Sequence, residues 1–219
     1  MMRTIHVINP NSTQAVTDGI DAAMRPLRIN GGPLIHCTTL KQGPPGVQTQ
    51  RQVDALGPPL CAEVERLDDA DAAAFVIACF SDPGMYGVRE ATRKPVLGIA
   101  ECGVLSALTL GQRFGVISIL PVSIPRHLRY YAAMGVTDRL AGDLAINLGV
   151  LELADTVKTL ERMCAIGATL RDKHGADVVV MGCAGMAAFR DRLEQELGIP
   201  VVEPTQAAAG MALARTLLA

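Results

Sequence analysis

Two cysteines in this chain sit where a folded protein presents reactive groups. The run Val178-Val179-Val180-Met181-Gly182-Cys183-Ala184-Gly185-Met186 opens with three β-branched residues, the mark of a strand buried on both faces. It stops at Gly182, and apolar residues then recur at helical spacing at Met186, Phe189, Leu193 and Leu197. A cysteine between a strand's carboxyl end and a helix start lies on the edge where open α/β sheets bind ligands. The free N–H groups and dipole there predict a thiol shifted toward thiolate. Ala74-Phe75-Val76-Ile77-Ala78-Cys79-Phe80-Ser81-Asp82-Pro83-Gly84 repeats the arrangement around Cys79. Two facing thiols suit proton chemistry: a thiolate removes an acidic C–H proton, and a thiol returns one to the opposite face, inverting the centre. The intermediate carbanion or enolate would be held by the backbone N–H groups of Phe80, Ser81, Ala184 and Gly185, with the side chains of Ser118 and Asn11.

The elements around these cysteines read as two similar halves. Thr4–Ile8 reads as a strand, followed by the turn Asn9-Pro10-Asn11 and a helix to about Met24 that Ser12 or Thr13 can cap. A second strand spans 34–40, and Gly43-Pro44-Pro45-Gly46 marks a loop. Helical spacing over 48–67 must be interrupted at Pro58-Pro59. Strand 74–78 ends at Cys79; a helix over 85–92 and a short strand 95–99 follow. Residues 102–110 read as a helix, 113–118 as a strand like the first, and 124–134 as the next helix. The longest helix, 151–174, leads into the Val178 strand, and 198–203 mirrors 94–101. An Ala-rich helix over 205–218 closes the sequence and is expected to pack back on the first half. The expected fold is α/β: two pseudo-symmetric doubly wound lobes with mainly parallel sheets. One lobe comprises residues 1–98 plus 205–219, the other 99–204, with the cysteines facing one cleft between them.

Composition narrows the function. Hydrophobic residues make up 49% of the 219, but aromatics only 3% with no Trp, so Ala, Val, Leu, Ile and Met must build the core. A net charge of −2 with scattered basic residues disfavours nucleic acid as a partner. No apolar run reaches the roughly 20 residues of a membrane span. A polar turn by residue 9 argues against a signal peptide, so the expected location is the cytoplasm. Without an oxidising compartment the six cysteines do not read as a disulfide framework. With no Cys-x-x-Cys pair and the histidines far apart, no metal site is expected. Cys37, Cys61, Cys102 and Cys164 read as small buried hydrophobes. Asp82 reads as a turn or helix cap, Asn11 and Ser12 serve as caps or ligand contacts, and Glu101 and Glu203 as structural acceptors at equivalent strand ends. His127 reads as a partly exposed helix residue.

Ile8-Asn9-Pro10-Asn11-Ser12, Ile77-Ala78-Cys79-Phe80-Ser81-Asp82-Pro83-Gly84, Gly98-Ile99-Ala100-Glu101 and Gly182-Cys183-Ala184-Gly185-Met186 together resemble the aspartate/glutamate/hydantoin racemase superfamily. The resemblance covers nearly the whole chain, with the motifs in the family's order, and is nearest to the hydantoin and allantoin racemases. It implies a racemase needing neither metal nor cofactor, with Cys79 and Cys183 as acid/base thiols. It also implies substrate contacts at Asn11, Ser12, Phe80, Ser81, Ser118, Ala184 and Gly185. A small-molecule substrate, a homo-oligomeric assembly and no membrane partner are the matching expectations. Relatives usually carry two threonines where this chain has Ser118-Ile119, and Asp-Gly where it has Glu203-Pro204; they also often carry an acidic or aromatic residue near Gln48-Thr49. These departures bear on the substrate more than on the reaction. The superfamily also holds Asp/Glu racemases, maleate isomerases with both cysteines, and arylmalonate decarboxylases with only the second, so retention of Cys79 counts against the decarboxylase. From another class, a small-ligand binding protein without turnover is the alternative.

Overall fold

A computed structural model describes residues 3–218; residues 1, 2 and 219 of the expected lobes lie outside it. Strands β1 (Thr4–Asn9), β2 (Leu34–Thr39), β3 (Ala72–Ile77) and β4 (Val96–Gly98) form one parallel sheet in the order β2-β1-β3-β4. Strands β5 (Phe114–Ser118), β6 (Leu140–Ala145), β7 (Val178–Met181) and β8 (Val201–Val202) form another in the order β6-β5-β7-β8. Position for position the two orders are the same. In each, the chain reverses its winding between the first and third strands, which opens a crevice at their carboxyl ends. The turn after β1 and Cys79 after β3 meet at one such point; Ser118 at the end of β5 and Cys183 after β7 meet at the other.

Helices α1 (Gln14–Ala23), α2 (Gln50–Asp54), α3 (Gly57–Leu67) and α4 (Met85–Ala91) flank the first sheet. Helices α6 (Ile124–Ala133), α7 (Thr156–His174) and α8 (Arg190–Leu197) flank the second. Between them, α5 (Ile99–Leu110) and α9 (Pro204–Leu217) lie against each other. They are exchanged. Helix α5 follows β4 yet packs mainly on β5, β7 and β8, whereas α9 follows β8 and packs on β1, β3 and β4. Ala208, Ala209 and Ala212 of α9 are fully buried and join Val7 and Val76 of one sheet to Val116, Val178 and Val180 of the other in a single core. Small residues allow this approach: a side chain at Gly103 would come within 2.9 Å of the Pro204 ring.

Several sequence expectations need correction. Strand β6 was not anticipated, because Leu140-Ala-Gly-Asp-Leu-Ala is an edge strand poor in β-branched residues. Pro58 and Pro59 open α3 instead of breaking it, since the first turn of a helix needs no N–H donor. Helix α7 begins at Thr156, where Asp155 accepts from Lys158 N–H; residues 150–154 form a separate 3-10 turn. Helix α5 begins at Ile99, three residues early, for a reason supplied below. Of the four cysteines read as buried, only Cys102 is fully so; Cys37, Cys61 and Cys164 are half-buried, and burial still raises all four thiols.

Candidate active site

Cys79 is held by a pinned loop. After β3 its N–H donates to Ile77 O, and Asp82 N–H donates back to Cys79 O, closing a tight turn. Asp82 takes a φ of 41°, a conformation Asp tolerates better than most side chains. Its carboxylate leaves the turn and caps a different helix, accepting from Ala100 N–H at 2.9 Å and Glu101 N–H at 2.8 Å. Tyr130 OH on α6 adds a third donor at 2.9 Å. Burial pushes the Asp82 carboxyl up to about 6, and the amides of Ala100 and Glu101 pull it back toward the charged form. This cap is what starts α5 at Ile99. A Cβ at Gly98 would lie 2.2 Å from the Asp82 carboxyl, so the glycine makes room for it.

The residue of the first half that corresponds to Glu203 is Gly98, not Glu101: each is the N-cap of the helix that follows its strand, α9 after β8 and α5 after β4. Glu203 caps α9 directly, accepting from Thr205 and Gln206 N–H groups, as its expected structural role requires. Glu101 instead pairs with Arg89.

Cys183 is placed by β7. Gly182 N–H donates to Ile117 O, and a Cβ at Gly182 would fall 2.7 Å from that oxygen, so only glycine lets the two strands approach here. Cys183 then caps a 3-10 turn over Ala184–Phe189, and its carbonyl accepts from Met186 N–H.

Both thiols line one pocket, which encloses about 440 Å³ including its open mouth. Asn11, Phe80, Ser81, Ala184 and Gly185 line it with them. Asn11 Oδ1 accepts from Asn9 Nδ2 and Thr13 N–H, so it also braces the turn before α1, and its Nδ2 has no partner among the described residues. Two expected contacts are not in the lining. Ser12 donates its amide to Pro44 O and lies against the Gly43–Gly46 loop. Ser118 is fully buried behind the pocket, its Oγ bonded to Asp143 Oδ1 and 3.2 Å from His127 Nδ1.

Three further lining residues matter: Ile119, met in the sequence only as a departure from relatives, His127, read there as partly exposed, and Arg126, which the sequence reading missed. Ile119 places its apolar side chain on the wall. His127 is only 3% exposed, contrary to expectation, because α6 presses it onto β6. There its Nδ1 lies 3.0 Å from Asp143 Oδ2, which also accepts from Tyr131 OH. A carboxylate at Nδ1 fixes the ring and leaves Nε2 with no hydrogen-bond partner among the described residues. Arg126, its neighbour, is 8% exposed and donates from Nε to Ser81 Oγ at 2.8 Å and from Nη1 to Gln48 O at 3.1 Å. The helical spacing of α6 was legible, but its partners Asp143 and Ser81 were not connected to it.

The thiols correct another expectation. Burial pushes Cys79 up to about 12 and Cys183 up to about 11. The N–H groups of Ser81 and Gly185 oppose this, as anticipated, but loss of water around each sulfur outweighs them. A negative charge on Cys183 also works against ionisation of Cys79, so the two sulfurs sense each other.

The family model described as Asp/Glu/hydantoin racemase matches residues 5–212. The chain belongs to that family. A hydantoin racemase of Paenarthrobacter aurescens is 36% identical over 212 residues, covering 95% of this chain and 89% of that protein. A hydantoin racemase of a Pseudomonas species is 34% identical over 215 residues, covering 98% and 85%. The solved allantoin racemase of Klebsiella pneumoniae is 29% identical, with a TM-score of 0.90 covering 99% of this chain and 88% of that one. Hydantoin racemases matched over nearly the whole chain, together with the allantoin racemase structure, make the protein an isomerase. Family membership also agrees with the paired α/β halves, since the allantoin racemase superposes over both. Among the described residues no helix of this racemase is long and apolar enough to cross a membrane.

Proposed function

We propose that the protein is a cofactor-independent racemase of hydantoin-type cyclic ureides, 5-substituted hydantoins or allantoin, in which Cys79 and Cys183 work from opposite faces of the ring. The observation that carries this reading is the shared pocket, which takes one thiol from the end of β3 and one from the equivalent end of β7. Hydantoin racemase relatives aligned over nearly the whole chain support the substrate class.

The C–H to be broken lies beside a ring carbonyl, so deprotonation moves the electron pair onto that oxygen as an enolate. One sulfur, as thiolate, takes the proton; the other, as thiol, delivers its own to the opposite face of the same carbon. The sulfurs exchange protonation states, and the reverse reaction runs with roles exchanged. Pocket amides and the free Asn11 Nδ2 supply donors for the enolate oxygen. His127 Nε2, with its ring fixed by Asp143, is a further donor or acceptor on the same wall. No covalent enzyme–substrate bond is needed.

Incubation of single enantiomers of hydantoins and allantoin in deuterated water tests this directly. Optical rotation should decay faster than without enzyme, with one deuterium entering the stereocentre of the inverted product. Binding without decay or exchange across the whole panel would favour a ligand-binding protein instead. Maleate, aspartate and glutamate in the same screen cover the other activities of the superfamily.

The pair also has a pH signature. Each cycle needs one thiolate beside one thiol, and both thiols are raised. The thiolate fraction therefore grows with pH, and kcat/KM should climb between about pH 7 and about pH 10. A profile flat across that range, once the spontaneous rate is subtracted, would contradict buried thiols as the catalytic pair.

A further inference from the structure

A buried guanidinium is normally matched by a carboxylate, because its lost hydration is otherwise uncompensated. Arg126 is not. It forms no ion pair among the described residues, and its hydrogen bonds go to the neutral oxygens of Ser81, Gln48 and Val122. Asp143 is occupied by Ser118, His127 and Tyr131. Nη2 of Arg126 has no protein partner among the described residues. Among the described residues no Asp or Glu lines the cysteine pocket, and Arg126 is its only Lys or Arg.

A second pocket, a groove, adjoins the first through shared wall residues. It shares Phe80, Ser81, Arg126 and His127, and extends to Tyr86, Tyr130 and Arg129. Arg129 is exposed at its edge, where it donates to Gln50 Oε1 at 2.8 Å. This groove, too, has no acidic residue in its wall among the described residues.

We propose that the groove receives the substituent on the substrate's stereocentre and selects a carboxylate there, bound by Arg126 with Arg129 at the mouth. The inference rests on the ureide-racemase reading and names the substrate class within it. Charge supports it. A thiolate/thiol pair contributes one negative charge and the two arginines two positive ones, so a monoanionic substituent brings the site to neutrality. A neutral substituent leaves the site with one net positive charge and Nη2 of Arg126 without an acceptor among the described residues. The planar fork of Arg126 suits a carboxylate, and the aromatic walls at Phe80 and Tyr86 suit the chain that carries it.

The test compares 5-(2-carboxyethyl)hydantoin with its near-isosteric neutral amide, 5-(2-carbamoylethyl)hydantoin, by polarimetric turnover and by calorimetric binding. The wild-type enzyme should favour the acid by at least about tenfold in kcat/KM, through KM. Arg126→Gln should abolish that ratio, and Arg129→Gln should reduce it in part. Added salt should weaken the preference, since Arg129 is exposed. Equal wild-type use of acid and amide would overturn the proposal, and so would an Arg126→Gln enzyme that keeps the preference. If Arg126→Gln does not fold, the wild-type ratio and Arg129→Gln still decide. Tighter binding of the acid without turnover of either compound would retain the subsite and overturn the racemase reading; equal turnover would do the reverse.

Discussion

Cys79→Ser and Cys183→Ser are each expected to abolish racemisation, with losses of about a thousandfold or more. A serine hydroxyl keeps the volume and polarity of the site but does not ionise in the working pH range, so one face of the substrate loses its acid/base group. The other face keeps a thiol. In deuterated water each variant should therefore still exchange the α-proton of one enantiomer, with retention, and the two variants should choose opposite enantiomers. Circular dichroism and thermal melts should stay close to the wild type, because serine nearly matches cysteine in size and each side chain packs only at the edge of its core cluster. Full racemisation by either single variant would exclude the two-thiol mechanism. Loss of exchange for both enantiomers in one variant would mean that its cysteine serves both faces.

Asp82→Ala is expected to cost about 2–4 kcal/mol, because it removes a helix cap and leaves two buried amides and a tyrosine hydroxyl without their acceptor. For a chain of this size that corresponds to a fall of roughly 5–15 °C in Tm. Activity should fall with it, since Asp82 ties the Cys79 turn to α5 and α6. Gly98→Ala should damage the same contact from the other side, its methyl group displacing the carboxylate. The double variant should cost less than the sum of the two, because the methyl group then meets space the aspartate has vacated. Strict additivity, or an Asp82→Ala protein melting with the wild type, would show that the carboxylate does not pin the loop.

The parts legible in the sequence are those written in local pattern. The runs before Cys79 and Cys183 are strands because β-branched and aromatic residues crowd there, and the repeated order of elements exposed the duplication. What escaped was written across distance. The cap on α5 comes from Asp82, outside the helix, so the start read from its own residues fell three positions late. Strand β6 has no apolar alternation, and without it Asp143 had no address, so His127 read as a surface residue and Ser118 as a ligand contact. Thiol acidity was misjudged for a related reason. The amides that favour thiolate follow from sequence position, whereas the removal of water that outweighs them depends on how closely the two halves meet.

The exchange of α5 and α9 bears on the order in which the molecule can be made. The strands of the first sheet are complete at Gly98, but the helix that covers β1, β3 and β4 begins at Pro204, roughly a hundred residues later. As the chain leaves the ribosome, the half that emerges first therefore waits with a bare apolar face. The later half already has its own covering helix, α5, when its strands appear. Synthesis runs in one direction and completion of the fold in the other.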